Sequence, residues 1–188
     1  NGVKDINTIQ KQEEITDFDS EFLKNNIETW KEKWDSKFGG DIAQQKFVSP
    51  SKYLFLLNYA RVYNDEKVLN HVKNTLDIIS SSGLNDFVEG GFYRYTVDNE
   101  WKIPHFEKML YDQGQMISLF SSAYKVFGDE SYKNIVDETI TFLNTKMSSK
   151  DGLYFAAMDA DTDGEEGKYY SYNLNELRII SENTDFNL

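Results

Sequence analysis

The chain has no cysteine among its 188 residues, so it forms no disulfide, holds no thiolate-ligated zinc and offers no thiol nucleophile. Positive charge is scarce. Twenty Lys and Arg stand against 32 Asp and Glu, for a formal net charge of −12. That excess of carboxylates repels phosphate backbones and anionic lipids, so neither nucleic acid nor a membrane is an expected partner. No apolar run approaches the ~20 residues of a spanning helix. The chain therefore reads as soluble, with the cytoplasm weakly favoured as compartment. Neither an initiating methionine nor a signal peptide is present, which reads as a processed product or a cut piece.

Aromatic side chains are plentiful instead: 13 Phe, 12 Tyr and 3 Trp. The length suits one ordinary domain with a substantial core. Residues 1 to about 16 are polar and read as a frayed N-terminal segment, leaving 17–188 as the domain. Leu23, Ile27, Trp30 and Trp34 recur at i, i+4, i+7 and i+11, the stripe of an amphipathic helix. Ser49-Pro50 supplies a cap and first residue for a second helix. Asp65 to about Ser81 reads as a third, with His71 a solvated residue on it. A fourth is expected from about His105 to Phe127, started by Pro104, and a fifth from Ser131 to Met147. Short β-hairpins fill the loops. One has arms at 92–97 and 101–103 turning at Asp98-Asn99, and another lies within 151–173. Asn173-Leu174-Asn175-Glu176 opens a last short helix.

An internal echo organises these elements. Gly91-Phe92-Tyr93 leads to Asp98, Gly152-Leu153-Tyr154 leads to Asp159, and Gly39-Gly40-Asp41 is a degraded third copy. Helical hairpins joined by such loops mark an α-hairpin repeat, an open solenoid or a closed toroid. In either case one loop edge collects the chemically special residues.

The densest of these stretches runs from Trp101 to Gln113. On the helix expected there, His105, Lys108 and Asp112 fall at i, i+3 and i+7 on one face, with Glu107 and Tyr111 on the next. His105 is suited to moving a proton while a carboxylate, Asp112 or Glu107, holds it. Glu107 and Asp112 facing Asp159 or Asp161 would form a carboxylate pair of the kind that cleaves glycosidic bonds. Tyr95, Trp101 and Tyr111 offer flat faces for sugar rings. The bland alternatives are ion pairs of Glu107 with Lys108 or Arg94 that lock loop to helix, and aromatics that belong to the core. Asp159-Ala160-Asp161-Thr162-Asp163-Gly164 matches the first half of a calcium loop, but Tyr170 stands where the bidentate glutamate belongs. Calcium at Asp159, Asp161 and Asp163 is therefore a minor expectation, and no other cofactor is expected. A polar rim over the cavity, with Asp159 and Asp161 pointing inward, is the main one.

Two blocks also carry a resemblance. Gly90 to Asp98 with Trp101 and Pro104 to Asp112 form the first, and Met158 to Tyr170 the second. Together they resemble the thioredoxin-plus-toroid family that includes the spermatogenesis-associated thioredoxin-like proteins. The resemblance implies an all-α fold, a partial (α/α)6 toroid of the six-hairpin glycosidase type, about half a ring, without the family's thioredoxin-like domain. Gly90-Gly91-Phe92 followed by Lys108, Tyr111, Gln113 and Gly114 is similar to N-acylglucosamine 2-epimerases and cellobiose epimerases, which implies a sugar-like ligand. On this reading His105, Glu107, Asp159 and Asp161 are the catalytic candidates. Arg94, Tyr95, Trp101, Lys108, Tyr111, Asp112, Gln113, Glu165 and Glu166 would contact substrate. The alternative is a non-catalytic interaction module of a larger protein. Half a ring leaves apolar helix faces, so self-association or docking to the rest of the toroid is expected.

Overall fold

The computed structural model describes residues 19–183, so the expected frayed segment at 1–16 lies outside the described residues. The chain divides into two compact units, residues 1–33 and 34–188. The first contains α1 (Ser20–Lys31), opened by Asp19, whose carboxylate accepts from the amides of Glu21 and Phe22.

Two helical hairpins form the second unit. They are α2 (Pro50–Tyr63) with α3 (Glu66–Ser80), and α4 (Leu110–Phe127) with α5 (Glu130–Lys146). Both turn by the same device. Asn64 ends α2 in the left-handed region (φ 53°) and Gly128 ends α4 there (φ 67°). Each is followed at once by an aspartate, Asp65 or Asp129, that caps the next helix. An α6 (Leu174–Asn183) follows. The partners in each hairpin pack together, and α2 also packs on α4. Leu56, Val72, Leu76 and Ile79 from the first hairpin and Leu119, Phe120, Tyr132 and Phe142 from the second are fully enclosed in the core.

The loops pair into short antiparallel sheets. The strands β1 (Lys46–Phe47), β2 (Tyr95–Thr96) and β3 (Pro104–His105) lie in that order, with Tyr95 opposite His105 and Thr96 opposite Pro104. The strand β4 (Lys108–Met109) pairs with β5 (Ala157–Met158), and β6 (Asp161–Thr162) with β7 (Glu165–Glu166).

The structure corrects four expectations. Pro104 does not start a helix, which begins only at Leu110. Its fixed φ and missing N–H also suit an edge strand, and pairing with Thr96, eight residues earlier, selects that use. In the extended segment successive side chains point oppositely, so the helical face shared by His105, Lys108 and Asp112 does not form. Trp34 lies beyond α1 and stacks on His71, with ring centroids 3.9 Å apart. His71 is accordingly buried rather than solvated. Burial, helped by the charge of Lys52, lowers its pKa to about 4.

The echo takes a definite physical form in the two loops. Asp35 and Asp86 each stand four residues before a Gly-Gly pair, and each donates its amide to the second glycine's carbonyl. Lys46 Nζ bonds Asp35 Oδ2 and the Gly39 carbonyl, both at 2.6 Å. Lys108 Nζ bonds Asp86 Oδ2 at 2.6 Å and the Gly90 carbonyl at 2.9 Å. Isolated bridges close the loops at Trp34–Asp41 and Asn85–Phe92, and a third recurs at Ser148–Tyr154.

Candidate functional site

The residues expected to act together divide into a buried set and an exposed set. Lys108 belongs to the first. Its side chain is fully enclosed, with the ammonium 4.3 Å from the Phe142 ring centroid and 4.8 Å from that of Tyr93. Burial alone would raise the pKa of Asp86. The hydrogen bonds from Lys108 and from the Glu89 and Val88 amides outweigh that and hold it below the usual carboxylate range. Gln113 is also buried. Its amide oxygen accepts from Phe92 N at 2.8 Å while its amide nitrogen donates to Phe92 O at 2.7 Å, so it pairs with Phe92 as a neighbouring strand would. Trp101 is 1% exposed and donates its indole N–H to Phe38 O at 2.8 Å, which leaves no face for a ligand. Lys108 fixes the 86–90 loop to β4, Gln113 ties Phe92 to α4, and Trp101 joins its loop to the one at Phe38. Asp86 is the residue that sequence reasoning missed, and its signal was the spacing to Gly90-Gly91, repeated at Asp35.

The exposed set is built on β2, β3 and β7. The His105 ring stacks on Tyr95 at 4.9 Å between centroids, a consequence of their register. His105 Nδ1 lies 2.6 Å from Glu166 Oε1, and Nε2 lies 3.9 Å from Glu107 Oε2. Glu166, rather than Asp112 or Glu107, is thus the carboxylate that orients the imidazole. Arg94 donates to Glu107 Oε2 at 3.1 Å, and their backbones also bond. Tyr111 is exposed nearby in sequence, on the first turn of α4. About a quarter of the His105 and Glu107 side chains is open to solvent. An imidazole anchored through one nitrogen, with a carboxylate beside the other, is arranged for proton transfer.

Asp112 completes this cluster from α4. Its Oδ2 is buried without a hydrogen-bond partner. Burial raises its pKa to about 6; Arg94 opposes the shift and Glu107 adds to it. A carboxyl that holds its proton more tightly when folded favours folding below its ordinary pKa of 3.8 and loses that advantage as pH rises through about 6. Asp112→Asn should therefore raise the melting temperature at pH 7.5 and leave it nearly unchanged at pH 4. Equal shifts at both pH values would show that the folded carboxyl titrates normally.

The acidic loop serves as a hairpin. Asp163 and Gly164 both have positive φ, 55° and 78°, as a two-residue turn between β6 and β7 requires. Asp163 pairs with Lys168 at 2.9 Å, and Asp159 Oδ1 accepts from the Asp161 amide. Asp159, Asp161 and Glu165 are exposed. Asp161 stands opposite Glu166, so it shares a face with the partner of His105. Among the described residues no group of three or more His, Asp or Glu is placed to hold a metal ion, and no helix is long and apolar enough to cross a membrane.

No protein-family profile matches the chain. Spermatogenesis-associated protein 20 from Homo sapiens is 33% identical over 159 residues, covering 79% of this chain and 20% of the relative. An uncharacterised Caenorhabditis elegans protein is 36% identical over 135 residues, covering 69% of this chain and 18% of the relative. The chain thus spans about a fifth of the length of the curated relatives it matches. Among solved structures, a sugar epimerase from a ruminal bacterium superposes with TM-score 0.63 at 22% identity, over 74% of this chain and 39% of that one. Cellobiose 2-epimerase from Bacillus thermoamylovorans gives 0.62 at 16% identity, over 79% and 44%. At such identities the likeness establishes the fold, an α/α-hairpin toroid architecture of which this chain covers part.

Proposed function

From the homology of this chain to a segment of spermatogenesis-associated protein 20, and from its toroid-type fold, we propose that the loop edge around His105 is one wall of a site for a sugar-like ligand. The observation that carries this reading is the quarter-exposed His105. It is anchored by Glu166 at 2.6 Å, stacked on Tyr95, and flanked by the Arg94–Glu107 pair. Sugars are recognised by charged groups that take hydroxyls in pairs, which the Arg94–Glu107 pair supplies; Tyr95 is stacked between Phe47 and His105 and serves to hold the imidazole. Glu166 fixes the imidazole, so Nε2 is the nitrogen presented for proton movement. Glu107 sits beside it as the carboxylate partner and Arg94 positions a hydroxyl. Asp112, with its pKa near 6, is a carboxyl able to give or take a proton close to neutrality. The solved toroids named as a sugar epimerase and a cellobiose 2-epimerase support the ligand class by analogy of fold. In this reading the remaining walls come from outside the chain, by docking to the rest of a toroid or by self-association.

The competing reading, a non-catalytic module, is favoured by the full commitment of Lys108, Gln113 and Trp101 to internal bonds. Ligand-observed NMR against mono- and disaccharides separates the two. Saturable binding by the wild type should weaken at least about tenfold in His105→Ala and in Glu166→Gln, with unfolding free energy changed by no more than ~1 kcal/mol. Absence of binding, with His105→Ala strongly destabilised, would leave the module reading standing.

A further inference from the structure

Strand alternation sends the two residues of β1 in opposite directions. Lys46 turns inward, 2% exposed, to its bonds with Asp35 and the Gly39 carbonyl. Phe47 turns outward and is 53% exposed. The register sets Phe47 opposite Tyr95 and Tyr95 opposite His105, so the three rings stand in a row on one face of the sheet. Phe47 stacks on Tyr95 at 4.4 Å with 17° between the planes, and Tyr95 on His105 at 4.9 Å with 26°.

Each contact constrains the imidazole differently. The bond between Nδ1 and Glu166 decides which ring nitrogen is presented, but one hydrogen bond leaves the ring free to turn about its axis. Stacking fixes the plane, and with it the direction of Nε2 toward Glu107 Oε2, 3.9 Å away. Tyr95 can impose that plane only if its own ring is held. Among the described residues its hydroxyl has no hydrogen-bond partner, and its two faces meet Phe47 on one side and His105 on the other. An edge phenylalanine left half exposed buries little apolar area for the core. What it contributes is the place of its ring.

We propose that Phe47 is a positioning residue for the His105 site, holding the Tyr95 ring from the far side so that the imidazole keeps one plane and Nε2 one direction. Because Phe47 follows Lys46 directly, the loop locked by Lys46 places the first ring of the row, and the orientation of His105 depends on a segment far from it in sequence. The proposal rests on reading the His105 cluster as a site, but not on the ligand being a sugar.

Side-chain ¹H–¹⁵N and ¹H–¹³C spectra of the whole chain follow the imidazole directly. The chain has two histidines, and His105→Ala assigns their signals. Tyr95→Ala supplies the shifts of an unstacked His105 ring. Between that limit and the wild type, Phe47→Leu should raise the unstacked population about two- to tenfold, the factor carried by one aromatic pair. Phe47→Tyr should restore the wild-type shifts. In Phe47→Leu the ¹⁵N shifts that report the tautomer should not change, because Glu166 is untouched. His71 should keep its shifts, and the melting temperature should fall by no more than about 3 °C. His105 ring shifts left unchanged by Phe47→Leu, or moved equally by Phe47→Tyr, would overturn the proposal. Movement at both histidines with a larger fall in melting temperature would also overturn it, since Phe47 would then support the fold at large. Saccharide titration of the same variants is a separate readout. No binding in any of them, with His105 responding as expected, would count against the sugar reading and uphold the role of Phe47.

Discussion

Lys108→Met should destabilise the chain by about 3–5 kcal/mol in urea unfolding at pH 7, the range for breaking a buried ion pair from one side. The lysine is fully enclosed and its partner Asp86 is only 5% exposed, so water solvates the stranded carboxylate poorly. Methionine fills the alkyl volume, which removes cavity formation as the cause. The stranded charge accounts for the loss, and two controls expose it. In the wild type Asp86 is held below the usual carboxylate range, so its favourable contribution is present above pH ~3.8 and fades as pH falls through the lower folded pKa. In Lys108→Met burial acts on Asp86 with less opposition and pushes its pKa up, so the penalty applies above that raised value and shrinks in acid. The difference between wild type and mutant should therefore narrow from pH 7 to pH 4. Adding Asp86→Asn should recover part of the loss at pH 7, since the uncompensated charge is gone. A single mutant within ~1 kcal/mol of wild type would mean that the pair is not what holds the 86–91 loop. The same substitution at Lys46 should cost less, because Asp35 is 14% exposed and can rehydrate.

These pairs also mark the limit of what could be read from the sequence. The helices were legible wherever local chemistry decides. Ser49-Pro50 placed the start of α2 correctly, and the apolar periods placed α3 and α5 to within a residue or so. The turn at Asp98 was legible for a similar reason, since its carboxylate collects the amides of Glu100, Lys102 and Ile103. The start of α4 was not, because proline suits the first turn of a helix and an edge strand alike. Only the distant pairing partners, Thr96 and Ala157-Met158, select the strand. That one ambiguity placed Lys108 beside His105, when the extended backbone sends Lys108 inward and His105 outward. The stretch from Trp101 to Gln113 stood out in the sequence, but which of its side chains meet was not legible. Glu166 was named, yet its bond to His105 spans 61 residues and no local spacing announces it. The glycine echo was visible, whereas its cause was not, because each lysine lies 11 or 22 residues from its aspartate.

Trp101→Ala should cost about 3–5 kcal/mol, as for other large buried aromatics. The side chain joins the two lysine-locked loops. It comes from the loop that ends at β3, yet its indole N–H bonds Phe38 O in the first loop, and Lys46 Nζ lies 5.5 Å from its ring. Its backbone has φ 63°, a conformation costing a tryptophan roughly 1–3 kcal/mol, so the contacts must exceed that to persist. Alanine keeps the unfavourable φ and loses the contacts. The first loop is shaped to the ring: a Cβ on Gly40, which has φ +71°, would come within 2.9 Å of Trp101 Cζ2. Gly40→Ala should therefore reproduce much of the Trp101→Ala loss, and the double mutant should lose less than the sum. Trp101→Phe keeps most of the packing and should give up mainly the hydrogen bond, about 0.5–1.5 kcal/mol plus the smaller ring. The consequence reaches the candidate site because Trp101 stands four residues before His105, in the turn that sets β3 against β2. Once that turn is loosened, Tyr95 and His105 should lose their stacked register, and the sugar binding proposed for the cluster should fall in Trp101→Ala even at temperatures where the chain remains folded. Undiminished binding in a folded Trp101→Ala protein would show that Glu166 and the β2–β3 pairing hold the imidazole without help from the first loop.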